Sequence, residues 1–305
     1  MGIKKIIKKI IPETLYDKYK LNKLNKRKKM SFDNIESEIG KRYFEHFGRQ
    51  LSWDNPKTYT EKTNVSKVYG YKDKRREELT DKYLVRDWIK KQIGEKYLIP
   101  IYGVYDSFKE IDFDKLPNKF VIKCNHDSGS VILCKDKSKL DLKKLQQKYD
   151  GFFLKRNFAY VGFEMHYKDI KPKIIIEKYM GDKISDYKFL CFNGTPYYCW
   201  VDVDRFGNHK RNFYNMNWEL QPFNQYSYGN YDKEIPKPKK FEEMKNIAKK
   251  LSTGFDHVRV DLYVLNDDIY FGEMTFTNGN GFEKITPDEW DYKLGELWNL
   301  KSNRK

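Results

Sequence analysis

Cysteine is scarce in this 305-residue chain: only Cys124, Cys134, Cys191 and Cys199 occur, with no Cys-x-x-Cys pair. That argues against a disulfide scaffold and a thiolate zinc site, and the strand-like surroundings of all four predict reduced, buried thiols. Histidine is equally sparse, five residues with no His-x-x-x-His pair, so a zinc centre has no ligand set. No apolar run approaches the roughly 18 residues of a membrane-spanning helix. No apolar stretch of secretory-signal length follows the basic N-terminus, which leaves the cytoplasm as the expected compartment. The patterns Gly-x-x-x-x-Gly-Lys-Ser/Thr, Gly-x-Gly-x-x-Gly and Gly-x-Ser-x-Gly are all missing. A P-loop, a dinucleotide fingerprint and a nucleophile elbow are thereby excluded.

What is present is aromatic and charged. The chain holds 24 Tyr and 20 Phe, 39% hydrophobic and 34% charged residues. The bulky aromatics argue against global disorder, and the length suffices for two or three subdomains with cores of their own. The net charge is +16, placed unevenly: residues 1–30 carry eleven Lys/Arg against Glu13 and Asp17, or +9, and the other 275 residues carry +7. The body is thus only moderately basic. Nothing forces a basic stripe on it, so nucleic acid is not the expected partner.

Within residues 1–11, Ile3, Ile6, Ile7, Ile10 and Ile11 fall on one helical face opposite four lysines. Such a stripe suits peripheral contact with an anionic membrane surface; docking on the protein's own body is the other reading, and both stay open. Lys26–Lys29 reads as a solvated linker. Composition and periodicity divide the rest into a mainly helical region over 31–110, including a helix from Thr80 or Asp81 through Lys91, and two strand-rich segments, 111–177 and 178–305. The whole reads as α+β with antiparallel sheets.

Residues 257–282 are the most informative stretch. They predict two strands joined by a polar turn at Asn266-Asp267-Asp268. Folding the hairpin about Asp267 sets Asp261 opposite Glu273 and Arg259 opposite Thr275 on one face, with Val260, Leu262, Met274 and Phe276 turned to a core. Directly opposed carboxylates repel. A divalent cation would remove the conflict, and Mg²⁺ is commonly held by one or two carboxylates plus substrate phosphates. A charged face that meets only water would look the same from this stretch alone.

Three further motifs add to it. In Phe120-Val-Ile-Lys123-Cys-Asn-His-Asp-Ser128-Gly129, a strand ends in a lysine and a polar loop follows, which is a possible phosphate site or an ordinary hairpin loop. Ile174-Ile-Ile-Glu177-Lys-Tyr179-Met180 reads as a buried strand with a polar end. From Asp202 to Pro238 the chain is too long and aromatic for a plain connector, and a substrate-contacting lid and a decorated hairpin remain alternatives.

Taken in order, Asp81-Lys82-Tyr-Leu-Val-Arg86, Tyr97–Asp106, Lys123-Cys-Asn-His126, Asp186-Tyr-Lys188-Phe, Arg259-Val-Asp261-Leu-Tyr263 and Phe271-Gly-Glu273-Met-Thr-Phe276 resemble the TupA-like ATP-grasp family of bacterial surface-polysaccharide and teichuronopeptide biosynthesis, within the ATP-grasp superfamily. The resemblance covers about Asn55 to Leu300. It implies an ATP-grasp fold: two α+β subdomains with antiparallel sheets clasping a nucleotide, preceded by the helical N-terminal region. By the same resemblance, ATP and Mg²⁺ are the cofactors. Lys123, Ser128 and Gly129 would meet phosphates, Glu177, Tyr179 and Met180 the adenine, and Lys82 and Asp186 other parts of the nucleotide. Asp261, Glu273 and Thr275 would hold metal; Arg259 and Lys188 would be catalytic. The implied activity is a carboxylate–amine ligase passing through an acyl phosphate, acting on a uronic-acid or amino-acid unit of a glycan precursor. The alternatives are a phosphotransferase or glycosyltransferase on such a precursor, or a non-catalytic membrane-associated protein on a degenerate fold. Two positions depart from the superfamily pattern. Thr275 stands where Asn is usual, which suggests one firmly held Mg²⁺ and a second held largely by ATP. Asp127 stands in the phosphate loop where a small residue is expected.

Overall fold

The computed structural model describes residues 12–182, 184–203, 210–225 and 229–301. The stripe expected over residues 1–11 lies outside them. Along the described chain the helices are α1 (Glu13–Lys28), α2 (Phe32–Phe47), α3 (Tyr59–Tyr69), α4 (Arg75–Thr80), α5 (Val85–Gln92), α6 (Leu142–Gly151), α7 (Ala159–Gly162), α8 (Phe241–Ser252) and α9 (Glu289–Glu296). The strands are β1 (Ile101–Tyr105), β2 (Phe120–Cys124), β3 (Ile132–Cys134), β4 (Ile174–Lys178), β5 (Ser185–Phe192), β6 (Thr195–Val203), β7 (Lys210–Asn215), β8 (Asn224–Gln225), β9 (His257–Leu265), β10 (Asp268–Thr275) and β11 (Ile285–Thr286). Among the described residues no helix is long and apolar enough to cross a membrane. The class is α+β with antiparallel sheets.

The chain divides into two compact units. The first takes residues 1–37, 100–163 and 167–179; the second takes 38–99, 164–166 and 180–305. One crossing lies inside α2, between Ser37 and Glu38, and another between Tyr179 and Met180.

In the first unit an antiparallel sheet runs β1-β4-β2-β3. Ile174, Ile175 and Ile176 on the inner strand β4 are all fully buried, so both faces of the strand are covered, which is why its apolar run can be continuous instead of alternating. α6, capped by the Asp141 side chain on the Lys144 amide at 2.9 Å, lays Tyr149 into a core with Phe108, Phe120, Ile122 and Ile176. Each such large side chain removed from water contributes about 1.5–3 kcal/mol. α6 stops at Gly151, and a separate turn of 3₁₀ helix covers Phe153–Lys155. Lys26, Arg27 and Lys28, expected in a linker, belong to the last turn of α1, where cations suit the C-terminal carbonyls.

In the second unit five antiparallel strands run β10-β9-β5-β6-β7. α8 covers one face: Phe241, Met244, Ala248 and Leu251 pack on Phe189, Val258, Val260 and Leu262. Val260, Leu262, Met274 and Phe276 are core residues, the side on which alternation places them. α3 begins with a capping box, Thr58 Oγ1 accepting the Glu61 amide and Glu61 Oε2 accepting the Thr58 amide at 2.9 Å. The helix expected with Thr80 or Asp81 as its N-cap begins there. α4 ends at Thr80, the Asp81 side chain accepts the amides of Tyr83 (2.7 Å) and Leu84 (3.2 Å), and the Asp81 carbonyl accepts the Val85 amide at 3.0 Å at the head of α5. The four cysteines are free and buried.

Candidate functional site

The hairpin of β9 and β10 reaches the expected pairing by another route. Its turn is two residues, Asn266 and Asp267, with φ of 52° and 65°. Positive φ at both positions is what a type I′ turn needs. That turn sets Asp268 against Leu265 and Phe271 against Leu262; the register then slips at Gly272, and Glu273 meets Asp261. Gly272 is therefore a β-bulge, which the sequence reading, with its three-residue turn centred on Asp267, did not contain.

The pairing continues across the sheet. Trp200 on β6 faces Lys188 on β5, Lys188 faces Asp261 on β9, and Asp261 faces Glu273 on β10. By the two-residue alternation of strands, Asp186, Arg259 and Thr275 share this face. Lys188 Nζ donates to Asp186 Oδ2 at 2.5 Å and to Asp261 Oδ2 at 3.0 Å. Arg259 donates through Nε to Asp261 Oδ1 at 2.6 Å and through Nη2 to both Asp261 Oδ2 (2.7 Å) and Glu273 Oε1 (2.8 Å). Its Nη1 donates to Asn278 Oδ1 at 2.7 Å, and Thr275 Oγ1 donates to Glu273 Oε1 at 3.0 Å.

The conflict between Asp261 and Glu273 is thus relieved by a guanidinium. Burial pushes the Asp261 carboxyl up, but Arg259 and Lys188 outweigh it and hold it below the usual range. Burial pulls Arg259 down, and Asp261, Glu273 and Asp186 outweigh that and raise it. Three carboxylates against two cations leave the group at −1. Asp261 is sealed, with a side chain 2% exposed, whereas Glu273 is 39% exposed. The donor set fits a hard cation: Glu273 presents a solvent-facing carboxylate, with the Thr275 hydroxyl and the Asn278 amide as neutral oxygen donors near it. Both oxygens of Asp261 are already engaged by Arg259 and Lys188, so Asp261 would share any metal with them.

Other expected residues stand elsewhere. Lys82 is half-buried in the turn between α4 and α5. In the first unit Lys123 Nζ on β2 pairs with Glu177 Oε2 on β4 at 2.6 Å, diagonally across the ladder, where Lys123 lies opposite Ile175 and Glu177 opposite Val121. The loop after β2 is anchored: Asn125 exchanges bonds with the backbone of Lys171 and Lys173, and Ser130 Oγ accepts the Cys124 amide at 2.9 Å. Ser128 and Gly129 are left at its exposed tip, Gly129 with φ of 88°. Asp127 does not bring charge to that tip. It turns inward, accepting from Ser130 Oγ and from Arg156 Nη2, both at 2.5 Å, and Arg156 also donates to the Ser128 carbonyl at 2.8 Å. Tyr179 and Met180 follow β4, both half-buried, where the chain passes from the first unit to the second. Asp202 lies on β6 and holds Arg211 at 2.6 Å, while Asp204 and Arg205 are outside the described residues.

The sequence reading missed Arg156 and Asn278, which come from segments with no strand alternation of their own. It also missed Glu164 and Lys67. Thr277 Oγ1 donates to Glu164 Oε1, and Lys67 Nζ donates to the Asn280 carbonyl (3.0 Å) and Oδ1 (3.1 Å). Burial raises the Glu164 carboxyl and lowers the Lys67 amine.

Comparison with known proteins gives three results. The family model described as TupA-like ATPgrasp matches residues 61–299. No curated protein matches this chain. Solved structures that match include the D-alanine–D-alanine ligase of Bacillus anthracis complexed with ATP, at 17% identity, TM-score 0.40, over 66% of this chain and 55% of that one. The L-amino acid ligase of Bacillus licheniformis matches at 13% identity, TM-score 0.42, over 68% and 45%. The chain therefore spans about half the length of these two structures. The family match covers more than three quarters of the sequence and includes every residue of the Arg259 group: this chain belongs to the TupA-like ATP-grasp family.

Proposed function

We propose that the protein is an ATP- and Mg²⁺-dependent ligase that activates a carboxylate as an acyl phosphate for amide formation in cell-surface polysaccharide biosynthesis. The observation that carries the reading is the single guanidinium of Arg259 shared by Asp261, Glu273 and Asn278. A fixed cation beside a solvent-facing carboxylate is suited to a transferring phosphoryl group, whose catalysis is mostly positioning and electrostatics. Bound Mg²⁺ would supply neutralisation of phosphate charge, with Glu273 as its accessible carboxylate, assisted by Asp261 and Thr275.

In the first half-reaction an oxygen of the substrate carboxylate attacks the γ-phosphorus, the bond to the β-phosphate oxygen breaks, and ADP leaves. In the second an amine attacks the acyl carbon, the C–O bond to phosphate breaks, and inorganic phosphate departs as the nitrogen sheds a proton. Arg259 is assigned to the charge on the phosphoryl oxygens in the first step, and Lys188 to holding Asp261 ionised and oriented. Lys123, Ser128 and Gly129 are assigned to phosphate contacts, Lys82 and Asp186 to the remaining nucleotide, and Glu177, Tyr179 and Met180 to adenine. The substrate class is a uronic-acid or amino-acid unit of a glycan precursor. The setting is the cytoplasm, with peripheral contact through residues 1–11 at the inner face of an anionic membrane.

The test is incubation with ATP, Mg²⁺ and a panel of uronic and amino acids, with hydroxylamine as the trapping amine, followed by ³¹P NMR. ADP and a hydroxamate that both require one particular carboxylate support the ligase. A stable phosphorylated product formed without any amine selects a phosphotransferase instead. Absence of ADP with every carboxylate, together with full cellular function of Asp261→Asn, overturns both.

A further inference from the structure

The first unit carries most of the positive charge. It holds 27 Lys/Arg against 14 Asp/Glu, a net of +13, whereas the second unit holds 33 against 30, a net of +3. α1 contributes six Lys/Arg against Glu13 and Asp17, a net of +4, and its packing decides which charges face out. Lys148 of α6 donates to Glu13 at 2.6 Å and to Asp17 at 2.8 Å, so both acids of α1 are engaged against α6. Arg27 donates to the carbonyls of Tyr160 (3.1 Å) and Val161 (2.9 Å) and lies 4.8 Å from the Phe163 ring centre. Leu21 packs on the core of the unit. These contacts fix the rotation of the helix.

The opposite face follows from the helical period: Leu15, Lys18, Tyr19, Asn22, Lys23 and Lys26 lie one above another along it. All six are exposed, Leu15 at 57% and Tyr19 at 62%. Among the described residues no carboxylate pairs with Lys18, Lys23 or Lys26. A polyanion such as nucleic acid would be served by the lysines alone. A leucine and a tyrosine standing in water among them match a surface with an apolar layer beneath anionic groups.

We propose that this face of α1 docks on the headgroup region of an anionic lipid bilayer, with Leu15 and Tyr19 entering the interface. The lysines would meet lipid phosphates. The surface is made by α1 alone and includes no residue of 1–11 or of the Arg259 group, and its occupation needs neither ATP nor a ligase substrate.

The experiment is co-sedimentation of the full chain with phosphatidylcholine vesicles, with and without phosphatidylglycerol, at low and high salt and without nucleotide. Four variants accompany the wild type: Lys18→Gln/Lys23→Gln/Lys26→Gln, Leu15→Ser/Tyr19→Ser, Lys4→Gln/Lys5→Gln/Lys8→Gln/Lys9→Gln, and a charge-matched control, Lys249→Gln/Lys250→Gln/Lys284→Gln, on the second unit. Far-ultraviolet circular dichroism verifies that each is folded. The expected result is salt-sensitive binding to the anionic vesicles only. It weakens about five-fold per lysine removed from α1, weakens again in the Leu15/Tyr19 variant, and is unchanged in the control. Three outcomes overturn the proposal: no binding to anionic vesicles, equal binding by the α1 and control triples, or binding abolished by neutralising Lys4, Lys5, Lys8 and Lys9 while the α1 variants bind as wild type. Binding to nucleic acid but not to vesicles also overturns it.

Discussion

Glu273 faces Asp261 across the β9–β10 ladder because β10 carries one residue more than its partner at Gly272. Without that slip Glu273 would oppose Val260 and point into the core beneath the sheet. The bulge is tight: a Cβ on Gly272 would lie 3.0 Å from the Asp261 carbonyl and 3.1 Å from the Tyr263 ring. Gly272→Val should therefore cost about 1–3 kcal/mol by forcing the strands apart. Deleting Gly272 should cost less, because a regular ladder continued from Phe271 and Leu262 again brings Glu273 opposite Asp261. Urea unfolding of the two variants checks this, and a deletion less stable than the valine variant counts against it.

Arg259 is the partner common to both carboxylates, and Asp261 is 1% exposed. Arg259→Met leaves a buried carboxylate with Lys188 alone and should lower stability by about 3–5 kcal/mol. Arg259→Lys should recover only part, since one ammonium cannot reproduce the fork that reaches Asp261 and Glu273 together. Adding Asp261→Asn to Arg259→Met should restore stability but not activity. Chemical denaturation of the four proteins gives the answer, and an Arg259→Met variant as stable as wild type would sink the argument.

How much of this was legible beforehand differs by element. Strands with clean alternation or a continuous apolar run, such as β4 and β9, announce themselves through burial on one or both faces. The pairing of Asp261 with Glu273 was reached by a compensation: a turn read one residue too long stood in for a bulge one residue wide. Bulges leave only a glycine as a trace, and glycine marks turns and close approaches equally well. Arg156 was invisible for another reason. Its role depends on Asp127, 29 residues earlier, and no local period couples them. Lys67 looks like any polar helix residue, and only tertiary packing buries it completely.

The Asp127–Arg156 bond makes the loop after β2 testable. Asp127 is 2% exposed, so Arg156→Gln leaves a charge with its Arg partner gone and should cost about 3 kcal/mol. Asp127→Asn should cost less, because the amide oxygen can still accept from Ser130. The double variant should be more stable than Arg156→Gln alone, a coupling that a double-mutant cycle measures directly. Hydrogen exchange at residues 125–130 should accelerate in Arg156→Gln. Additive single effects would show that the two side chains do not hold the loop together.

Two buried histidines lower the stability of the second unit as pH falls, against the buried carboxyls of Glu164 and Asp291, which burial raises and which act with the opposite sign. Burial pushes His257 down to about 4; its ring lies 2.8 Å from the Cys191 carbonyl and 3.1 Å from the Tyr59 hydroxyl. Burial, with the nearby Arg76 cation, pushes His166 down to about 3. An unfolded histidine titrates near 6.5. As pH falls below that value the unfolded chain takes up protons that the folded chain refuses, so stability must fall. The loss runs from about pH 6.5 to about pH 4 for His257 and to about pH 3 for His166, at up to about 1.4 kcal/mol per pH unit for each. Asp261, held below the usual carboxyl range, adds its own loss only at lower pH. Urea unfolding across this range should show a wild-type slope that flattens in His166→Gln and in His257→Gln, and flattens most in the double variant. If the double variant keeps the wild-type slope between about pH 6.5 and about pH 5, other groups carry the dependence and the assignment to these two imidazoles fails.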